Sequence, residues 1–254
     1  MAILIATSTK DFDPTEVAVP WRILSDAGVE IVFATDTGQV GAADPRMIDG
    51  QDLGILKPFL IATKPAREAY QMMLADKAFQ SPITYEDIRP GDYDALLLPG
   101  GHAKNVKPYL ESPVLHNAIV EYFQADKPVG AICHGVVTAC RAIDPATGKS
   151  VLYGRKTTAL LRRQERLAYH LTRAWLGDYY LTYPVTVEDE VRATLRAPGD
   201  FISGPLPLFR DDHEHLNRGF VVRDGNYVSA RWPGDAHRFS LEFLKVLNEY
   251  PTRP

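Results

Sequence analysis

Short apolar runs closed by small polar residues alternate along this chain with longer stretches whose apolar positions recur every three or four residues. Ile3–Ala6, closed by Thr7-Ser8-Thr9, reads as a buried strand. Pro14 opens a helix reaching Asp26, with Asp13 as its N-cap and Gly28 just past its end. Glu30–Ala34 is a second strand, and this strand–helix–strand opening predicts a parallel sheet. Lys64–Leu74 has helical spacing, Tyr93–Leu98 is a third strand, and Ser112 caps a helix reaching Gln124. Pro128–Ile132 is a fourth strand, followed by a helix over Val136–Ile143. Lys156–Leu160 is expected as a further strand, and a charged helix runs from Arg163 to Trp175. Asp224-Gly225 between Phe220–Arg223 and Tyr227–Ala230 signals a hairpin, and Ala236–Leu247 closes the chain as an amphipathic helix.

Residues 40–65 and 184–217 are rich in Asp and Pro and lack clear periodicity, so both read as irregular insertions. With no repeat and no linker in view, residues 1–254 are expected to form one doubly wound α/β domain, its mostly parallel sheet sandwiched by helices. At this length a domain buries roughly three quarters of its unfolded surface, so a large core is available. A net charge of −4 gives no overall attraction to nucleic acid or anionic membranes, and neither is expected as a partner. Two cysteines in 254 residues make no disulfide framework, and the N-terminus lacks a basic, cleavable leader pattern. A reducing, cytoplasmic location is the expectation.

The candidate chemistry gathers where strands end. In "VGAICHGVVTAC", residues 129–140, Cys133 falls between a predicted strand and a predicted helix, with Ala131 two before it and Gly135 two after. Small neighbours on both sides suit the sharp turn of a nucleophile elbow. A thiol at a helix N-terminus feels the positive end of the dipole, which should favour the thiolate. His134 is adjacent and could serve as acid or base in the same pocket. A second strand ends in "LLLPGGHA", where Gly100 and Gly101 could present amides to a substrate oxygen and His102 could line the pocket. Glu16, in the first turn of the helix after the first strand, points to the same sheet edge.

Taken as a set, "ILIATS", the early Glu16, "YDALLLPGGHA", "KPVGAICHG" and "GNYVSARWPGDAHRFSLEFLKVL" resemble the ThiJ/PfpI superfamily, which is class I glutamine amidotransferase-like. The chain looks closest to its glyoxalase III and stress-chaperone branch. That resemblance implies a flavodoxin-like fold and a homodimer. It also implies cofactor-independent chemistry on a small aldehyde, methylglyoxal to lactate being the model reaction, with deglycase or stress-protection roles alongside. By position it makes Cys133 the nucleophile, Glu16 a protonated partner of its sulfur, Gly101 and His134 the oxyanion amides, and His134 the proton-transfer group. The family's acid that orients the histidine is best matched by Glu165, in "LLRRQERLAY".

Two other readings stand beside this one. A peptidase or amidohydrolase would need a well-oriented Cys–His–acid triad. A redox-sensing holdase would need the same activated thiol together with an exposed apolar patch. The amidotransferase H-x-E pattern is absent, as are G-x-G-x-x-G and the P-loop, so no nucleotide cofactor is expected. His213 and His215 lie in a predicted loop without a third ligand at metal spacing, so no metal is expected, and that segment should instead form a pocket rim or a subunit contact. Cys140 should be buried and structural, and Trp21 and Trp232 should be core or pocket-wall aromatics.

Overall fold

A computed structural model describes residues 1–250. The short apolar runs assemble into one seven-stranded sheet: β1 (Ala2–Ala6), β2 (Glu30–Thr35), β3 (Ile83–Thr84), β4 (Ala95–Leu98), β5 (Val129–Ile132), β6 (Val221–Asp224) and β7 (Tyr227–Ala230). Its order is β6-β7-β5-β4-β1-β2-β3, parallel except where the β6–β7 hairpin forms one edge. Leu4 pairs with Val32 on one side and Leu96 on the other, and Ala131 pairs with Leu98 and Ser229. The arrangement is the doubly wound α/β sandwich that the patterning predicts.

Strand residues alternate between two cores, as a pleated strand covered on both faces must. Ile3, Ile5 and Leu97 face α1 (Pro14–Asp26), α2 (Lys64–Met73) and α7 (Ala236–Glu249), which contribute Leu24, Tyr70 and Phe239 among others. Leu4, Leu96 and Leu98 face α3 (Pro113–Gln124), α4 (Gly135–Arg141) and α6 (Val187–Thr194), through Ile119, Val136 and Val191. The amphipathic α5 (Arg162–Leu176) lies outside these layers and buries only Glu165 and Thr172.

Several expected elements differ. Lys156–Leu160 forms no strand. Thr157 makes a single bridge with Phe201, and the amide of Thr158 donates to the Ser229 hydroxyl (3.0 Å), so the segment bonds to side chains of β7 instead of joining the sheet's backbone ladder. The 184–217 insertion is not wholly irregular, because Thr186 caps α6, whose buried residues Val187 and Val191 are one turn apart. Two apolar positions in eight residues are too few to show as periodicity. The elbow helix stops at Arg141, and Ile143 instead opens a small hairpin with Lys149–Ser150. The 40–65 excursion holds two short helices, Pro45–Asp49 and Lys57–Leu60, and a two-residue strand, Ala42–Ala43, paired with Lys10–Phe12.

β1, β4 and β5 deliver their carboxyl ends side by side, flanking the point where the chain's progression across the sheet reverses. The packing of that edge tolerates no added atom at Gly135, where a Cβ would sit 2.0 Å from the Leu98 carbonyl oxygen. Gly135→Ala is therefore expected to cost about 3 kcal/mol in urea unfolding, as overpacking against backbone does. Gly91→Ala, where nothing lies within 4 Å of the new methyl, should leave stability within about 0.5 kcal/mol.

Candidate active site

Cys133 follows directly on β5 and precedes α4 with φ of +58°, a left-handed conformation that non-glycine residues adopt at a cost of about 1–3 kcal/mol. Its amide donates to Ala230 of β7 (3.1 Å), which pins the turn to the neighbouring strand. This is the sharp strand–turn–helix corner expected from the sequence, and it holds Cys133 on the wall of a cavity of about 530 Å³.

Glu16 reaches the same point from α1. Asp13 accepts from the amides of Thr15 (2.8 Å) and Glu16 (3.1 Å), and its own amide donates to Gly100 (3.1 Å), so the helix start is tied to the end of β4. The Gly100 amide in turn donates to Glu16 Oε2 (2.9 Å). A Cβ on Gly100 would lie 2.7 Å from the His134 amide nitrogen and 2.8 Å from Glu16 Oε2, so only glycine lets these pieces close together. Because its amide is spent on Glu16, Gly100 is not an oxyanion donor. Gly101 lines the cavity.

Complete burial, first, and the neighbouring Asp13 charge push the Glu16 carboxyl well above the usual carboxylate range. Burial also pushes the Cys133 thiol up, followed by the influence of Glu16 and Asp13. This reverses the expectation that the helix end would lower it. A short helix end is worth about 0.3–1 kcal/mol, whereas desolvating a full charge can move a pKa by about 3–5 units, so burial wins. Both shifts favour the protonated form of the pair.

His134 Nδ1 lies 3.5 Å from Cys133 Sγ. Its Nε2 lies 3.0 Å from the Thr182 hydroxyl, which donates its single hydrogen to the His102 carbonyl (2.6 Å). A hydroxyl so engaged can only accept from the ring, so Nε2 carries the hydrogen and Nδ1 presents its lone pair to the sulfur. Burial lowers the imidazole to about 3, keeping it neutral. Thr182 thus occupies the place expected for Glu165. Glu165 lies in the cavity wall and accepts from the Val187 amide (3.0 Å) at the start of α6. It is buried, not displayed among the arginines of α5. Thr182 sits in an irregular stretch, "LTYPVT", with no motif around it, so only the folded chain reveals it.

His102 is half-buried, stacked on Tyr180 at 4.7 Å and edge-on to Tyr179 at 4.9 Å. The 184–217 segment does form a rim, since Leu208, Phe209 and Arg210 line the cavity. Arg210 ties that rim to the Lys57–Leu60 helix through the carbonyls of Phe59 (3.1 Å) and Leu60 (3.2 Å). Trp232 is a cavity wall and Trp21 is core, while Cys140 is fully buried and pushed far up by burial. His215 engages Asp212 (2.8 Å), and His213 points outward. No helix among the described residues is long and apolar enough to cross a membrane.

Residues 7–205 match the family described as ThiJ/PfpI family-like. A deglycase of Thermococcus kodakarensis is 30% identical over 166 residues, covering 65% of this chain and 69% of the relative. Glyoxalase 3 of Candida albicans is 26% identical over 151 residues, 56% of this chain and 57% of that protein's length. The solved structure of glyoxalase III from Candida albicans superposes with a TM-score of 0.66 at 17% identity, across 97% of both chains, a likeness of fold.

Burial lifts Glu165 to about 7, against an ordinary value of 4.5. A carboxyl whose folded pKa is raised stabilises the fold fully below its unfolded value and loses that contribution as pH rises to the folded one. Relative to Glu165→Gln, the native protein is expected to lose stability on the order of 2 kcal/mol between pH 4.5 and pH 7 in urea titrations.

Proposed function

The chain belongs to the ThiJ/PfpI-like family, and from that premise we propose that it is a cofactor-independent cysteine enzyme converting small 2-oxoaldehydes to 2-hydroxy acids. Methylglyoxal to lactate is the model reaction. The observation that carries this reading is a fully buried carboxyl, pushed toward its protonated form, and an acceptor imidazole nitrogen beside one strained cysteine on a cavity wall. Isomerising a 2-oxoaldehyde needs a nucleophile, a proton donor and a proton acceptor at adjacent carbons, and no external reductant or oxidant.

Cys133 passes its proton to His134 Nδ1 as the sulfur attacks the aldehyde carbon, C1. The Glu16 proton goes to the aldehyde oxygen, giving a hemithioacetal and leaving Glu16 ionised. Its burial makes that carboxylate a strong base, which removes the C1 hydrogen while protonated His134 donates to the C2 oxygen. Glu16 returns a proton to C2 and takes the hydroxyl proton from C1, leaving a thioester. Water, deprotonated by neutral His134, then releases the hydroxy acid and restores the thiol. The amides of Gly101 and His134 would hold the developing oxyanion, an effect of about 3 kcal/mol per donor. A peptidase reading would call for a Cys–His–acid triad, and a threonine, Thr182, stands at His134 Nε2 instead of a carboxylate.

Purified protein incubated with methylglyoxal should release lactate, and Cys133→Ala should lower the rate at least ~10³-fold. Glu16→Gln should cost about 10²–10⁴-fold, and Thr182→Val roughly tenfold, with Thr182→Ser largely restoring it. Equal turnover by Cys133→Ala removes the reading.

A further inference from the structure

The cavity at Cys133 is far larger than a three-carbon dicarbonyl. Its volume of about 530 Å³ falls within the roughly 300–1,000 Å³ typical of sites for drug-sized ligands. Its polarity is also divided by depth. With Cys133 its wall carries the buried carboxyls of Asp13 and Glu16, together with His102 and Tyr180. The mouth is different. Phe59, Leu167, Leu171, Leu208 and Phe209 line the cavity while 50–75% exposed to solvent. They come from three separate segments: the Lys57–Leu60 helix, one face of α5 and the 205–210 rim. Scattered exposed leucines need no explanation, but five large apolar side chains around one opening do.

Resting on the proposed chemistry, we infer that the preferred substrates are 2-oxoaldehydes carrying an apolar tail, with methylglyoxal a truncated member of the class. The dicarbonyl head occupies the deep polar end beside Cys133, and the tail lies along Leu171, Leu208 and Phe209 in the mouth. The reaction at the head is unchanged, so no further reactant enters. Each methylene taken up by the mouth removes apolar surface from water on both sides of the contact, which corresponds to roughly threefold in affinity.

The test separates the tail site from the chemistry. Binding of hydroxyacetone, 1-hydroxyhexan-2-one and 1-hydroxyoctan-2-one, which keep the head but lack the aldehyde, is measured by calorimetry on the wild-type protein. In parallel, kcat/KM is measured for methylglyoxal, 2-oxohexanal and 2-oxooctanal. Both series should rise roughly threefold per methylene. The slope should flatten in Leu171→Ser and Phe209→Ser, both at exposed positions, and persist in Leu241→Ser on the exposed side of α7. A flat or falling binding series overturns the inference, whatever the enzyme does with methylglyoxal. A rising binding series without turnover of any aldehyde keeps the tail site and removes the catalytic reading on which the substrate class rests.

Discussion

The Gly100 amide holding Glu16 against the elbow is the contact on which the site depends. It joins the first turn of α1 to the end of β4, beside the turn after β5, and it fixes one oxygen of the Glu16 carboxyl. Without a Cβ at Gly100, the His134 amide and the carboxyl approach the same backbone atom. Without one at Gly135, the elbow lies against Leu98. Three strands that are adjacent in the sheet thereby bring Glu16 together with Cys133 and His134, far from it in sequence.

Burial then decides the charge state. A carboxyl, a thiol and an imidazole, all withdrawn from water, are each pushed toward the neutral form. In the proposed reaction such a site is quiet at rest and becomes ionic only as protons move to and from the substrate. The same burial explains why a threonine suffices beside His134. Its hydroxyl has to fix a tautomer, and a neutral partner does so without placing another anion beside Glu16 and Asp13.

Much of this was legible in the residues. Ile3–Ala6, Glu30–Ala34 and Pro128–Ile132 announce buried parallel strands because both faces are apolar, and the caps Asp13 and Ser112 mark helix starts. The elbow at Cys133 was readable from Ala131 and Gly135. Glu165 misled because its sequence position matches a family pattern, while the folded α5 delivers its carboxyl to the Val187 amide. Thr182 and the apolar mouth were hidden, since both depend on irregular segments whose course is set by tertiary contacts such as those of Arg210 with Phe59 and Leu60. The direction of the thiol's shift was hidden for the same reason: helix position is visible in a sequence, and depth of burial is not.

The account stands on Glu16 carrying a proton at neutral pH. Infrared difference spectra between the wild-type protein and Glu16→Gln at pH 7, in deuterated and ordinary water, report that proton directly. Loss of a deuterium-sensitive protonated-carboxyl band in the variant is the predicted result. Loss of an ionised carboxylate band instead would mean that the pocket holds a resting anion at position 16, and the proton inventory described above would be wrong.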